Sequence, residues 1–282
     1  MKKVFSLVLT LFLTLSLVAV LAACGKKSIP GTKKKGVLVV GMECDYAPFN
    51  WTETTKTDTN IPISNVAGAY AEGYDVQMSV KIAKALNLTL EIKSLSWDSL
   101  IPSLKNGTID MIIAGMSPTE ERKKSISFTE GYYTSTHVMI IKNGSTYSSA
   151  TQLSDFKDAK VAGQIGTIYA DLVPQAVAAG AIAGTDMNTV PQLVNQIKQG
   201  ILDATIVEKP VAQGICAADD SLDYVEFAAG KGFTVAEEDV MVSIGVRKEC
   251  NFIDDINKAL RDITEAERNE MMLTAVQKNS GE

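Results

Sequence analysis

The sequence predicts an α/β protein built from two similar lobes, and three observations lead there. Apolar runs of strand length alternate with stretches whose apolar residues recur at helical spacing. One unit occurs twice, at 100–115 and 193–208: an amphipathic helix, a glycine stop, then an acidic residue opening an apolar strand. Polar residues stand at the end of each of those strands, where open α/β sheets place their ligands.

Each element has its own signal. Residues 37–41 form a first strand, and 75–86 a helix with Val76, Val80, Ala83 and Leu86 as its apolar face. Residues 89–92 form the next strand, whereas the Thr-, Asn-, Gly- and Ala-rich stretch 52–72 predicts an extended surface loop. In the repeated unit, Gly107 and Gly200 fit the C′ position, where a helix ends in a left-handed residue. Ser117-Pro-Thr-Glu120 opens a helix, with Ser117 as N-cap, Pro118 at N1 and Glu120 closing a capping box. A strand at 136–141 carries His137, and a strand at 160–162 leads through Gln164-Ile-Gly-Thr-Ile168 into a helix at 169–178.

The beginning of the chain is of another kind. Lys2 and Lys3 precede an apolar run at 4–20, broken only by Ser6, Thr10, Thr14 and Ser16, and Leu-Ala-Ala-Cys24 follows. The order basic, apolar, small is that of a cleavable secretory leader. The run is short for a membrane span, which needs about 20 apolar residues. Residues 24–35 are Lys-, Gly- and Ser-rich and predict a flexible tether. The formal charge is −6, and losing Lys2 and Lys3 with the leader makes it −8. An acidic chain speaks against nucleic acid as partner. Cys44, Cys216 and Cys250 cannot all pair in one chain; free thiols are expected, with a Cys216–Cys250 bridge as the alternative. His137 is the only histidine and no CxxC is present, so a metal site or a histidine-dependent triad is not expected and His137 is read as structural. No cofactor is expected, and the chain is read as a monomer.

The polar residues suggest a pocket for a zwitterion. A helix start offers unpaired N–H groups and partial positive charge. Arg122, on the first turn after Ser117, adds a guanidinium able to grip a carboxylate with two hydrogen bonds. The turn Gln164–Ile168, with the amides around Thr167 and Ile168, is a second anion site, and Glu208 supplies a carboxylate for an ammonium group. The plainer alternatives are a capped helix with an exposed arginine and a surface Glu208 paired to Lys209.

Six motifs then appear in order: Tyr46-Ala-Pro-Phe49, Gly73-Tyr-Asp-Val76, Leu100-Ile-Pro-Ser-Leu104, Ile109-Asp110, Ser117-x-Thr-Glu-Glu-Arg122 and Phe128-Thr-Glu-Gly-Tyr-Tyr133. Together they closely resemble the polar amino-acid binding proteins of ABC importers, the family-3 extracellular solute-binding proteins, over about 37–276. The resemblance implies two Rossmann-like α/β lobes joined by a two-strand hinge, of the type II periplasmic-binding-protein kind. Lobe 1 would hold 36–133 plus 240–282 and lobe 2 134–239, with the ligand in the cleft between them. It implies that Arg122 holds the ligand's α-carboxylate, helped by Ser117 and by the backbone around Thr167 and Ile168. The carbonyl of Ala114 or Gly115 and the Glu208 carboxylate would hold the α-ammonium. Many relatives carry Asp in place of Glu208, so the extra methylene shifts that contact or admits a water. They also carry an acid near Gln77, a departure that lies on a helix. Glu43 stands where basic-amino-acid binders often face the ligand side chain with an acid, and Tyr46 and Trp97 where aromatic residues flank it. A carboxylate with aromatic faces suits arginine or lysine better than glutamine or cystine. The plainer alternative makes Trp97 interlobe packing and Glu43 a solvated rim residue. Leu-Ala-Ala-Cys24 resembles a bacterial lipobox, which implies diacylglycerol on Cys24 and anchoring to the outer face of the cytoplasmic membrane. The implied partners are an ABC permease and its ATPase. A dehydratase on the same fold would need an acid and a base, for which Glu43 and Glu208 are available without a His or Cys partner. A sensor on the same scaffold is the other rival.

Overall fold

The computed structural model describes residue 32 and residues 36–280. The leader, the lipobox cysteine and the tether apart from Thr32 therefore lie outside the described residues. The first half of the chain runs β1 (Val37–Met42), β2 (Asp45–Tyr46), β3 (Asn50–Glu53), β4 (Ile61–Pro62), β5 (Tyr70–Glu72), α1 (Tyr74–Ala85), β6 (Thr89–Ser94), α2 (Trp97–Asn106), β7 (Met111–Ile112), α3 (Glu120–Ser125) and β8 (Ser127–Thr134). The second half runs β9 (His137–Lys142), β10 (Lys160–Ala162), α4 (Ile168–Ala178), β11 (Ile182–Ala183), α5 (Val190–Lys198), β12 (Ala204–Glu208), α6 (Lys209–Ala218), β13 (Leu222–Val225), β14 (Met241–Val246), α7 (Ile253–Arg261) and α8 (Glu265–Ser280).

These strands form two five-stranded sheets of the same pattern. The first has the order β6-β1-β7-β14-β8, with β1 parallel to β6 and β7 and with β14 antiparallel to β7 and β8. The second has the order β11-β10-β12-β9-β13, with β10 parallel to β11 and β12 and with β9 antiparallel to β12 and β13. The chain passes from the first sheet to the second after β8 and returns with β14, which enters between β7 and β8. The parallel strands read as unbroken apolar runs because helices cover both faces. Leu38, Val40 and Met42 of β1 and Ile112 of β7 are wholly buried, as are Val161 of β10 and Ile206 of β12 in the second sheet.

Three local expectations are corrected. First, the stretch 52–72 is not simply a surface loop, because β3, β4 and β5 within it join β2 in a four-stranded antiparallel sheet. Its apolar anchors are few, mainly the buried Ile63 and Ala71, so pairing supplies what hydrophobic pattern does not. Second, the buried face of α1 is Tyr74, Asp75, Val76, Met78, Ser79, Ile82 and Ala83, while Val80 is exposed. A polar pair on the buried face displaced the apparent apolar stripe. Third, Ser117 does not cap α3. Thr119 is the N-cap and its hydroxyl accepts from the Arg122 amide at 3.3 Å. The Ser117 carbonyl is already taken by the Thr119 amide, and its hydroxyl donates to the Asp239 carbonyl at 3.2 Å. A capping box forms instead on α5, between Thr189 and Gln192.

The glycine stops behave as expected, with Gly107 and Gly200 at φ 73° and 71°. No helix among the described residues is long and apolar enough to cross a membrane.

Candidate functional site

The cleft between the two sheets is lined by Glu43, Tyr46, Trp97, Gly115, Ser117 and Arg122 from one side and by Gln164, Thr167, Ile168 and Tyr169 from the other. Nine of these were named from the sequence. Tyr169, second residue of α4, was not, because a tyrosine inside an apolar helix gives no signal of its own. Ala114 and Glu208 stand outside the lining. Ala114 is buried beside Gly115, and Glu208 reaches the cleft through Tyr46, whose hydroxyl donates to its carboxylate.

Each group is set by the element it ends. Glu43 follows β1 directly, and its carboxylate accepts from the Gln164 side-chain amide across the cleft at 2.9 Å. Glu43 is only 9% exposed, and burial pushes its pKa up to about 7. Glu208 is the last residue of β12, 3% exposed, and burial pushes it up to about 8. The surface pairing of Glu208 with Lys209 does not occur, since Lys209 bonds Glu226. Gly115 follows β7 with φ +61°, and a Cβ there would come within 3.1 Å of the Tyr46 ring. Glycine therefore lets that ring lie over the backbone.

Arg122 is a desolvated cation with neutral partners. Its Nη1 donates to the Ser117 carbonyl at 2.8 Å and Nη2 to the Gly166 carbonyl at 3.3 Å. The guanidinium carbon sits 5.0 Å from the centre of the Trp97 ring. Desolvation lowers its pKa to about 10, so it stays charged at neutral pH. The Trp97 indole N–H also crosses the cleft, to the Gly166 carbonyl at 2.9 Å. Thr167 caps α4, its hydroxyl accepting from the Tyr169 amide, while its own amide turns to the Gln164 carbonyl at 3.2 Å. The two walls touch so closely that the cleft holds a void of only about 10 Å³, room for about one water. One half-buried, desolvated cation and the buried Glu43 carboxylate thus line one small space, with the Glu208 carboxylate behind Tyr46, an arrangement that a dipolar ion would neutralise.

His137 lies beside this chemistry, opposite Glu208 in the ladder, with its ring 5.7 Å from that of Tyr169. Burial lowers its pKa to about 4, leaving it neutral. Cys44, Cys216 and Cys250 are free thiols, so the Cys216–Cys250 bridge is not formed. Among the described residues no cluster of His, Cys, Asp and Glu could hold a metal ion.

Residues 38–274 match the model of the bacterial extracellular solute-binding proteins, family 3. The chain belongs to this family. Members similar to it include the arginine-binding extracellular protein ArtP of Bacillus subtilis, 30% identical, covering 93% of this chain and 93% of that one. The glutamine-binding protein GlnH of the same organism is 29% identical, covering 93% of this chain and 92% of its own. Among solved structures, the substrate-binding protein AbpA of Streptococcus pneumoniae bound to L-arginine superposes with TM-score 0.72 at 25% identity, covering 88% of this chain and 97% of that one. These family members are binding proteins of ABC transporters, and this chain is a binding protein and not an enzyme. Their overall fold, the type II periplasmic-binding-protein arrangement of open α/β sheets, is the one described above.

Proposed function

We propose that this chain captures a free amino acid in the cleft between its sheets, that the amino acid is basic, arginine or lysine, and that it passes to an ABC permease driven by its ATPase. The observation that carries the reading is Glu43, a buried carboxylate in the same cleft as Arg122, Trp97 and Tyr46 that has an amide against it and, among the described residues, no cation. A zwitterion would place its carboxylate on Arg122 and the α4 turn. Its ammonium would meet Glu208 and the Gly115 or Ala114 carbonyl, and its distal cation Glu43. The contacts to Arg122, Glu208 and Glu43 would each take the place of one the walls now make, with Gly166, Tyr46 and Gln164 respectively, so that each ligand charge meets a partner.

A second reading, a glutamine ligand, is favoured by the Gln164 amide, which already meets Glu43 at 2.9 Å. The relatives named for arginine and for glutamine are equally near, so overall identity does not choose between them. Calorimetric titration of wild-type and Glu43→Gln protein with arginine, lysine, glutamine and cystine does. The expected result is a wild-type preference for arginine or lysine that falls roughly ten- to hundredfold in the variant, the range for a hydrogen bond to a charged group. Glutamine affinity should change little. A wild-type preference for a neutral amino acid would overturn the basic-ligand reading and leave amino-acid binding standing.

Lobe 1 would be about 36–133 plus 240–282 and lobe 2 134–239, closing on the ligand about the two crossings as a hinge. Cys24 would carry a diacylglycerol group after removal of the leader, holding the protein at the outer face of the membrane. In cells expressing it, Cys24→Ala protein should leave the membrane fraction, and intact-mass analysis of the wild type should find the acyl chains. A wild-type mass with no lipid would end the anchoring proposal.

A further inference from the structure

Beneath the cleft, Asp75 of α1 is wholly buried. Its carboxylate holds two neutral side chains on opposite oxygens, the Asn50 amide donating to Oδ2 at 2.8 Å and the Tyr132 hydroxyl to Oδ1 at 2.7 Å, and the Gly115 backbone amide also acts on it directly. Each partner then turns its remaining capacity to a different stretch of backbone. The Asn50 side-chain oxygen accepts the Cys44 amide at 2.8 Å, and the Tyr132 hydroxyl accepts the Gly115 amide at 3.2 Å.

Those two amides occupy equivalent places. Cys44 lies just past β1, between Glu43 and Asp45, and Gly115 lies just past β7. Both have left-handed backbone, at φ 59° and 61°. A left-handed non-glycine residue is held only where its surroundings over-determine it. The Asn50 contact is such a constraint on Cys44. Asp75 keeps a raised pKa of about 6 through desolvation, and its hydrogen bonds pull against that rise. The Tyr132 and Asn50 contacts thus favour the charged form, which binds both arms more tightly than a neutral acid would.

We infer that Asp75 is a positioning residue: through Asn50 and Tyr132 one buried carboxylate fixes the turn that carries Glu43 and the turn that carries Gly115, and so sets the distance between the group facing the ligand side chain and the group facing its ammonium. The inference rests on the reading that the cleft takes an amino acid. It makes the hub a gauge of ligand length, with two arms that fail differently. Tyr132→Phe, nearly isosteric, loosens only the Gly115 arm, leaving the amide its direct pull toward the carboxylate. Asn50→Ala frees only the Cys44 arm.

The test measures each folded variant by calorimetry with arginine and glutamine, with thermal melting recorded separately. Tyr132→Phe should weaken both ligands by a similar factor, about five- to tenfold for one hydrogen bond, because both present the same ammonium. Asn50→Ala should weaken arginine more than glutamine and so lower the ratio of the two affinities, which a loss of stability alone would not move. Amide hydrogen exchange adds a readout that needs no ligand: Gly115 should lose protection in Tyr132→Phe and Cys44 in Asn50→Ala, each leaving the other protected. If Asn50→Ala does not fold, Tyr132→Phe carries the test alone. Wild-type affinities in folded Tyr132→Phe, an unchanged arginine-to-glutamine ratio in Asn50→Ala, or unchanged protection of these amides would overturn the hub. A wild-type protein that binds neither amino acid would overturn the reading of the cleft, and exchange at the two amides would still decide the hub.

Discussion

Arg122 illustrates how a single side chain is tuned to wait for a partner. A guanidinium offers five donors, and here two go to carbonyls while the flat face lies against Trp97. Carbonyls neutralise none of its charge. A ligand carboxylate would, and every free amino acid carries one. Arg122→Ala is therefore expected to weaken arginine, lysine and glutamine alike, by about 2–5 kcal/mol, the cost of truncating one side of a desolvated charge pair. Near wild-type calorimetry with any of the three would remove Arg122 from the site. At this scale the sequence was legible where a residue type carries its chemistry in itself: Arg122, Glu43, Ser117 and Gln164 all line the cleft. It was not legible for Tyr169, whose place depends on α4 entering the cleft, nor for the indirect reach of Glu208. Glu208 meets the Tyr46 hydroxyl from outside the lining.

Elements explain why two of the sequence motifs travel together. Gly73, at the turn from β5 into α1, has φ 126° and ψ −177°, a region that glycine alone occupies readily. A Cβ there would stand 2.4 Å from the Phe49 carbonyl oxygen. With no side chain in the way, the Tyr74 and Asp75 amides bond the Pro48 and Phe49 carbonyls at 3.0 and 2.7 Å. The Tyr46-to-Phe49 and Gly73-to-Val76 motifs are thus one contact, made two and three residues on from Tyr46, which lines the cleft. Gly73→Ala should lower stability by about 3 kcal/mol, from a strained backbone and the displaced loop. Urea unfolding measures it, and a midpoint within error of wild type would show that the close approach is not what fixes the loop. Regular elements were readable from periodicity: β10 falls where expected, and α4 begins one residue early. The small sheet at 45–72 was not, because its strands are two to four residues long and too sparse in apolar residues to show a period. The α3 cap was misassigned for a related reason. Ser117 and Thr119 are equal as cap residues in sequence, and only the long-range contact of Ser117 with Asp239 separates them.

At the scale of the whole molecule, the tight packing concentrates buried acid. Asp75 is pushed up to about 6, Glu43 to about 7 and Glu208 to about 8, in each case mainly by burial. All three are raised above their unfolded values, so the folded state binds more protons than the unfolded one between pH 4 and 8. The sign follows: their contribution is fully present below about pH 4 and is lost as pH rises through 6, 7 and 8. For Asp75 alone the rise from 3.8 to about 6 is worth about 3 kcal/mol. Opening the cleft would hydrate Glu43 and Glu208 without unfolding either sheet, while Asp75, on the buried face of α1 and bonded to Tyr132 of β8, has no such relief. Two effects should therefore separate. Without ligand, the melting temperature should fall between pH 5 and pH 8, and small-angle scattering should show the particle expanding over the upper part of that range. With arginine, the cationic groups of the ligand would meet Glu43 and Glu208 and bring their pKa values back down, so arginine should raise the melting temperature far more at pH 8 than at pH 5. Uptake and release of protons fix the same point: arginine binding near pH 7 should release protons, seen as a binding enthalpy that varies with the ionisation enthalpy of the buffer. A stabilisation by arginine that is equal at the two pH values, with no proton released, would mean that these carboxylates do not meet the ligand's charges.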